Sequence, residues 1–70
     1  TNLVKTVLSA MTPQELALAI DRLTSNIEKM PNNPSLLFMR GFAHQLDGQT
    51  IKSKDDFNRL RSLIKADQNL

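Results

Sequence analysis

Pro31-Asn32-Asn33-Pro34-Ser35-Leu36-Leu37-Phe38-Met39-Arg40-Gly41-Phe42-Ala43-His44-Gln45-Leu46 is the stretch that decides the fold. It predicts a turn containing two prolines, followed by the most apolar helix of the protein. Asn33 is a good N-cap residue, and Pro34 suits the first helical position, where its missing N–H costs nothing. Apolar residues occupy most of the circumference of this helix, and Arg40, His44 and Asp47 form its predicted polar line. A helix of this kind is usually covered by other helices or by a partner.

Helical spacing of apolar residues continues on both sides of this stretch. It predicts four helices, over residues 2–10, 13–29, 34–47 and 53–66. The second helix opens with Thr12-Pro13-Gln14-Glu15, a capping box in which Thr and Glu side chains accept hydrogen bonds from orphan N–H groups. Ser53 is the predicted cap of the last helix, and Asp55 and Asp56 are expected in its first turn, where a helix favours negative charge.

No segment alternates in the manner of a strand, so we predict an all-α fold. Its four short helices form two consecutive antiparallel helical hairpins, in one small domain covering residues 1–70. The predicted core takes the apolar face of each helix. Its members are Leu8, Leu16, Ile20, Leu23, Ile27, Leu36, Met39, Ala43, Leu46, Phe57, Leu60 and Ile64.

Composition narrows the classes of function. The chain of 70 residues has no cysteine, which excludes disulfides and thiolate metal sites and fits a reducing compartment, so we expect a cytoplasmic protein. No apolar run approaches the roughly 18 residues that a membrane span needs, and we expect no membrane partner. His44 is the only histidine, with Asp47 as its nearest carboxylate in sequence, and we expect it on the surface. No nucleophile motif or phosphate-cradling loop is present, so we expect no enzyme, no cofactor and no metal.

The second half of the chain resembles the tetratricopeptide repeat (TPR) family. The resemblance rests on Pro31-Asn32-Asn33-Pro34, on Gly41, Ala43 and Gly48, and on Ser53 and Phe57, which match a 34-residue helix–turn–helix unit. It is clearest over residues 31–67 and matches fewer positions over residues 1–30. Val7 stands where the family has a glycine, and Lys65 replaces the proline that ends a unit.

The resemblance implies a module that binds a partner helix or peptide without catalysing a reaction. The groove-side positions that it implies are Ser35, Phe38, Phe42 and Gln45. The family's clamp for a terminal carboxylate is missing at these positions, so a bound peptide would be held mainly by apolar contacts. Phe38 and Phe42, four residues apart on the central helix, are either core residues or exposed anchors for a partner helix.

Two further expectations concern partners. The net charge of +2 arises in residues 48–70, and it makes a nucleic-acid-binding regulator the alternative function, using Lys54, Arg59, Arg61 and Lys65. The apolar residues also exceed the interior of so small a bundle, which predicts a dimer or an obligate complex with another protein. Phe38 or Phe42, together with the segment 3–8, is the predicted contact.

Overall fold

The computed structural model describes residues 3–68, with side chains described for residues 3–66. This range forms four helices and no strand: α1 (Leu3–Ser9), α2 (Pro13–Lys29), α3 (Pro34–Leu46) and α4 (Thr50–Gln68). Short connections join the helices, and the helices pack against one another. This arrangement confirms the predicted all-α fold.

Helix α3 is the central element of the fold. It contacts α1, α2 and α4, and its contact with α4 is the most extensive in the molecule. Because one helix touches all three others, its side chains are covered around most of its circumference. Leu37 has no exposed surface at all, and Gly41 and Ala43 are also buried.

Two helix starts follow the sequence signals. The Thr12 N–H donates to Glu15 Oε1 at 2.8 Å, and the Glu15 N–H donates to Thr12 Oγ1 at 3.2 Å, so the predicted capping box is confirmed. Asn33 Oδ1 accepts from the N–H groups of Ser35 and Leu36 at 3.0 and 3.3 Å. Each cap satisfies N–H groups that have no partner within the helix. The capping residues therefore determine that α2 begins at Pro13 and α3 at Pro34.

The turn between α3 and α4 is tighter than predicted. Gly48 has a φ of +77°, the Gln49 N–H donates to the His44 carbonyl at 2.8 Å, and the Gly48 N–H donates to the Gln45 carbonyl at 3.1 Å. These two bonds form a Schellman motif, which reverses the chain within two residues. As a result α4 begins at Thr50, and the prediction of a start at Ser53 was wrong. Ser53 lies inside the helix and is buried.

The interior agrees with the predicted core at most positions. Leu8, Leu16, Ile27 and Ala43 are buried, and the other members apart from two are half-buried. Those two, Leu46 and Ile64, are exposed, so their assignment was wrong. Leu46 is the last residue of α3, where few neighbours can cover it. Ile64 lies in the second half of α4. This helix has 19 residues against 13 in α3, so it extends beyond the amino-terminal end of α3.

Gly41 sets the distance between α3 and α4. A Cβ atom placed on it would lie 3.0 Å from two ring atoms of Phe57, closer than ordinary van der Waals contact. The absence of a side chain lets the Phe57 ring lie directly on the α3 backbone, and the same ring contacts Phe38 with centroids 6.1 Å apart and planes inclined at 59°. This close approach positions the polar groups that the two helices share.

Candidate functional site

One open groove lies between α1 and the first half of α3. We call it the α1–α3 groove. It has a volume of about 420 Å³ and is lined by Val4, Lys5, Pro34, Ser35, Phe38, Met39 and Leu60. Lys5 is the one charged residue of this lining. Its ammonium nitrogen lies 5.8 Å from the ring centroid of Phe38 and 5.7 Å from that of Phe42, within the range of a cation–π interaction with both rings.

The structure brings together part of the predicted partner-binding set. Ser35 and Phe38 line the α1–α3 groove, whereas Phe42 is half-buried and packs against the core cluster of Leu8, Leu16 and Ala43. Gln45 is exposed farther along α3 and is not part of the lining. Lys5 was not among the predicted residues, because only the fold shows that the polar side of α1 reaches over two phenylalanines of α3.

A second open groove lies between α1 and α2, and we call it the α1–α2 groove. Its volume is about 400 Å³, and Met39 of α3 contributes to its lining. The residues that line it are Leu3, Val4, Val7, Leu8, Ala19, Arg22, Leu23 and Met39. Seven of these eight side chains are apolar, and Arg22 is the exception. The α1 side of this groove is therefore an exposed apolar surface.

A polar cluster lies where α2, α3 and α4 meet. Arg40 of α3 binds the Asp56 carboxylate through two hydrogen bonds, from Nε to Oδ2 at 2.8 Å and from Nη2 to Oδ1 at 2.6 Å. Its Nη1 donates to Thr24 Oγ1 at 3.4 Å. Asp56 is only 2% exposed, so its charge is held away from water by a bidentate partner, the strongest geometry for such a pair.

His44 lies one helical turn beyond Arg40 and belongs to the same cluster. Its Nε2 is 3.8 Å from Asp56 Oδ2, and its buried Nδ1 has no hydrogen-bond partner among the described residues. Burial lowers the pKa of His44 below 6.5, and the positive charges of Arg40 and Lys52 lower it further. The Asp56 and Asp47 carboxylates oppose this shift. The hydrogen bond from Arg40 to Asp56 is the main reason that the pKa of Arg40 is raised.

These contacts correct three predictions. Arg40 and His44 do not form a polar line facing water, because both turn toward α4. His44 was expected on the surface and is buried. Asp56 was expected in the first turn of the last helix. Because α4 begins at Thr50, six residues before Asp56, this carboxylate lies within the helix, where it pairs with Arg40. An ion pair between residues 16 positions apart leaves no local signal in a sequence, which is why the cluster was missed.

The cluster connects three helices through side-chain hydrogen bonds, from Arg40 of α3 to Thr24 of α2 and Asp56 of α4. A depression of about 390 Å³ beside it is also lined by Asp21, Lys52 and Asp55. Within residues 3–66, no three histidine or acidic side chains are placed to hold a metal ion. The guanidinium of Arg40 is already bound to Asp56, so the cluster joins α3 to α4.

The four basic residues of α4 that were predicted to bind an anion divide into two groups. Lys54, Arg61 and Lys65 are exposed and recur at intervals of seven and four residues, which places them along one face of the helix. Arg59 lies on another face, where its Nη2 donates to the Pro31 carbonyl at 3.3 Å. Three of the four predicted anion-binding residues therefore share a row.

Comparisons with known proteins found no matching family model, no matching curated protein and no matching solved structure. Among the helices of residues 3–68, none combines the length and the apolar character that crossing a membrane requires.

The first prediction concerns the ion pair between Arg40 and Asp56. Replacing one member leaves the charge of the other without its ion-pair partner, so Arg40→Met and Asp56→Leu should each lower the free energy of unfolding by about 3 kcal/mol. The combined variant should be more stable than the sum of the two losses predicts, with a coupling energy of about 2 kcal/mol. Urea denaturation followed by circular dichroism measures all four proteins.

A matched control for this cycle is the pair Asp55 and Arg59, exposed and four residues apart on α4. Its coupling energy should stay below about 0.5 kcal/mol. Equal coupling energies for the two pairs would show that the contact between Arg40 and Asp56 has no special role in stability.

The second prediction concerns pH. Because the pKa of His44 is lower in the folded protein than its ordinary value of 6.5, the unfolded chain takes up a proton first as the pH falls. The free energy of unfolding should therefore be highest above pH 6.5 and should decrease as the pH falls below it. Urea denaturation between about pH 7 and about pH 5 tests this, because ordinary carboxylates titrate below that window.

His44→Gln supplies the control, since His44 is the only histidine of the chain. The stability of this variant should be flat over the same window. A slope that persists in His44→Gln would assign the pH dependence to other groups.

Proposed function

We propose that this chain is a non-enzymatic protein-interaction module that binds a helix or peptide of a partner protein in the α1–α3 groove. The observation that carries the proposal is the position of Lys5 above Phe38 and Phe42, in a groove whose lining is otherwise uncharged. The Phe38 ring and Met39 supply apolar contact area, and the ammonium group supplies a charge that favours an acidic residue in the ligand.

The state of α1 supports the same proposal. This helix has seven residues, fewer than the roughly 12–15 that an isolated helix needs to persist in water. It is held in place by Val4 and Leu8, which pack in the core beside α3. A ligand that contacts α1 and α3 together would stabilise this docking, so binding and the folding of α1 would be linked.

The third prediction tests the groove with random peptides of about 15 residues displayed on phage, a length that spans roughly four helical turns. Peptides selected on the wild-type chain should combine an apolar face with an acidic residue. They should bind at least about tenfold more weakly to Ser35→Glu, because a carboxylate at the groove would repel theirs. Fluorescence anisotropy with labelled selected peptides measures the dissociation constants.

Gln14→Glu is the matched control for this substitution. Gln14 and Ser35 are both exposed, and each is the second residue of a helix that begins with proline. Both substitutions therefore add the same charge at a position where a helix start favours it. Peptides that bind Ser35→Glu and Gln14→Glu equally well would place the binding surface elsewhere and refute the proposal.

A second candidate function is nucleic-acid binding, and the row of Lys54, Arg61 and Lys65 on α4 is the observation that favours it. Three exposed cations on one helix face can contact successive phosphates of a backbone. The row contains no aromatic side chain on which a base could stack, so such binding would rest on charge and not on sequence readout.

The fourth prediction separates this candidate from the first. If α4 binds nucleic acid, the affinity for a fluorescein-labelled DNA duplex should fall steeply as salt is raised from about 50 to about 200 mM. Arg61→Gln should then reduce the salt slope by about one, whereas Lys29→Gln on α2 should leave it unchanged. Absence of binding at low salt, or equal effects of the two substitutions, would reject the candidate.

A further inference from the structure

The outer surface formed by α1 and α2 carries three large apolar side chains that are more than half exposed. Leu3 and Val7 of α1 are 75% and 55% exposed, and Leu18 of α2 is 58% exposed. The α1–α2 groove runs between the two helices, and Arg22 is its one charged residue. We call the surface that combines these residues the α1–α2 face. An apolar area of this kind is typical of a contact surface.

The charges on this face complement themselves. Glu15, Leu18 and Arg22 are exposed and follow one another at intervals of three and four residues, so they share one side of α2. Glu15 and Arg22 are equally distant from the midpoint between Leu18 and Ala19. At 1.5 Å of rise per residue, each lies about 5 Å along the helix axis from that midpoint, in opposite directions.

A two-fold axis through that midpoint would therefore match the charges. If the axis lies in the plane of contact and perpendicular to α2, the α2 helices of two copies run antiparallel. Glu15 of each copy is then level with Arg22 of the other, and Leu18 is level with the small side chain of Ala19. The same axis places both copies of α1 on the same flank of the two α2 helices.

We propose that a second copy of this chain docks on the α1–α2 face to form a two-fold symmetric dimer. Leu18 supplies the apolar centre, and two equivalent ion pairs between Glu15 and Arg22 fix the antiparallel register. Glu15 can serve both roles, because its Oε1 accepts the capping hydrogen bond from Thr12 and its second oxygen can accept from arginine. Because a two-fold interface uses the same patch on both subunits, each substitution changes the contact at two places.

This proposal assigns a second surface and a different partner from the α1–α3 groove. Its failure can be distinguished from failure of the proposed function, because the residues substituted to test the dimer, Glu15, Leu18 and Arg22, do not line the α1–α3 groove. Phe38 and Phe42 are half-buried beside the other groove, so the α1–α2 face requires neither of them.

The fifth prediction is tested by sedimentation equilibrium of the full chain over a range of concentrations. The wild-type chain should sediment as a dimer. Leu18→Asp should raise the dissociation constant at least about tenfold, because it puts like charges at the centre of the contact. Ile51→Asp is the matched control, since Ile51 is a large apolar residue of α4 that is also more than half exposed, and this substitution should have no effect.

A charge-exchange experiment tests the register. Arg22→Glu and Glu15→Lys should each weaken the dimer, since like charges then face each other at both ends of the contact. An equimolar mixture of the two variants should restore association, because every pair in the mixed dimer joins opposite charges. Circular dichroism checks that both variants remain helical. A wild-type monomer at all concentrations, a dimer that Leu18→Asp leaves unchanged, or a mixture that fails to associate would each overturn the proposal.

Discussion

The pairing of Arg40 with Asp56 is the contact on which the arrangement of the helices depends. It joins the central helix to α4 through two short hydrogen bonds, and its carboxylate is almost completely buried. A charge removed from water in this way is tolerated only if its partner is held in register. The register is set by Gly41, whose bare backbone receives the Phe57 ring, and by the tight reversal at Gly48. Charge, close packing and turn geometry therefore specify the same alignment of the two helices.

The two sides of α3 have different physical character. Toward α4 the contact combines the directional polar cluster of Arg40, His44 and Asp56 with the Phe57 ring packed on Gly41. Toward α1 and α2 it is mostly apolar: the cluster around Leu8, Leu16 and Ala43 lies on this side, and the polar contact to α2 is the 3.4 Å hydrogen bond from Arg40 to Thr24. The open grooves beside α1 lie on this apolar side. The directional pairing of α3 with α4 therefore adjoins a mostly apolar surface beside α1.

Local signals in the sequence predicted local structure well. The capping box at Thr12 and the Asn33 cap before Pro34 each depend on residues within three positions, and both formed as expected. Apolar periodicity also identified the four helices and most of the interior. It failed at Leu37, which is fully buried but was not included, and at Leu46, because periodicity cannot show where a neighbouring helix ends.

The polar cluster could not be predicted, since hydropathy assigns Arg40 and Asp56 to water and only tertiary contact brings them together. Of the groove, Ser35 and Phe38 were predicted, whereas the part played by Lys5 depends on how α1 crosses α3.

The position of α3 in the chain also affects how the protein can form during its synthesis. Ribosomes make the amino-terminal half first, so α1 and α2 emerge before the helix against which both are packed. Until residues 34–46 follow, Leu8 and Leu16 lack Ala43, the third buried member of their cluster. The ion pair between Arg40 and Asp56 forms later still, because Asp56 follows in α4. The docking of α1 and α2 therefore has to wait for the synthesis of α3, and until then their apolar side chains lack the surface that covers them in the folded structure.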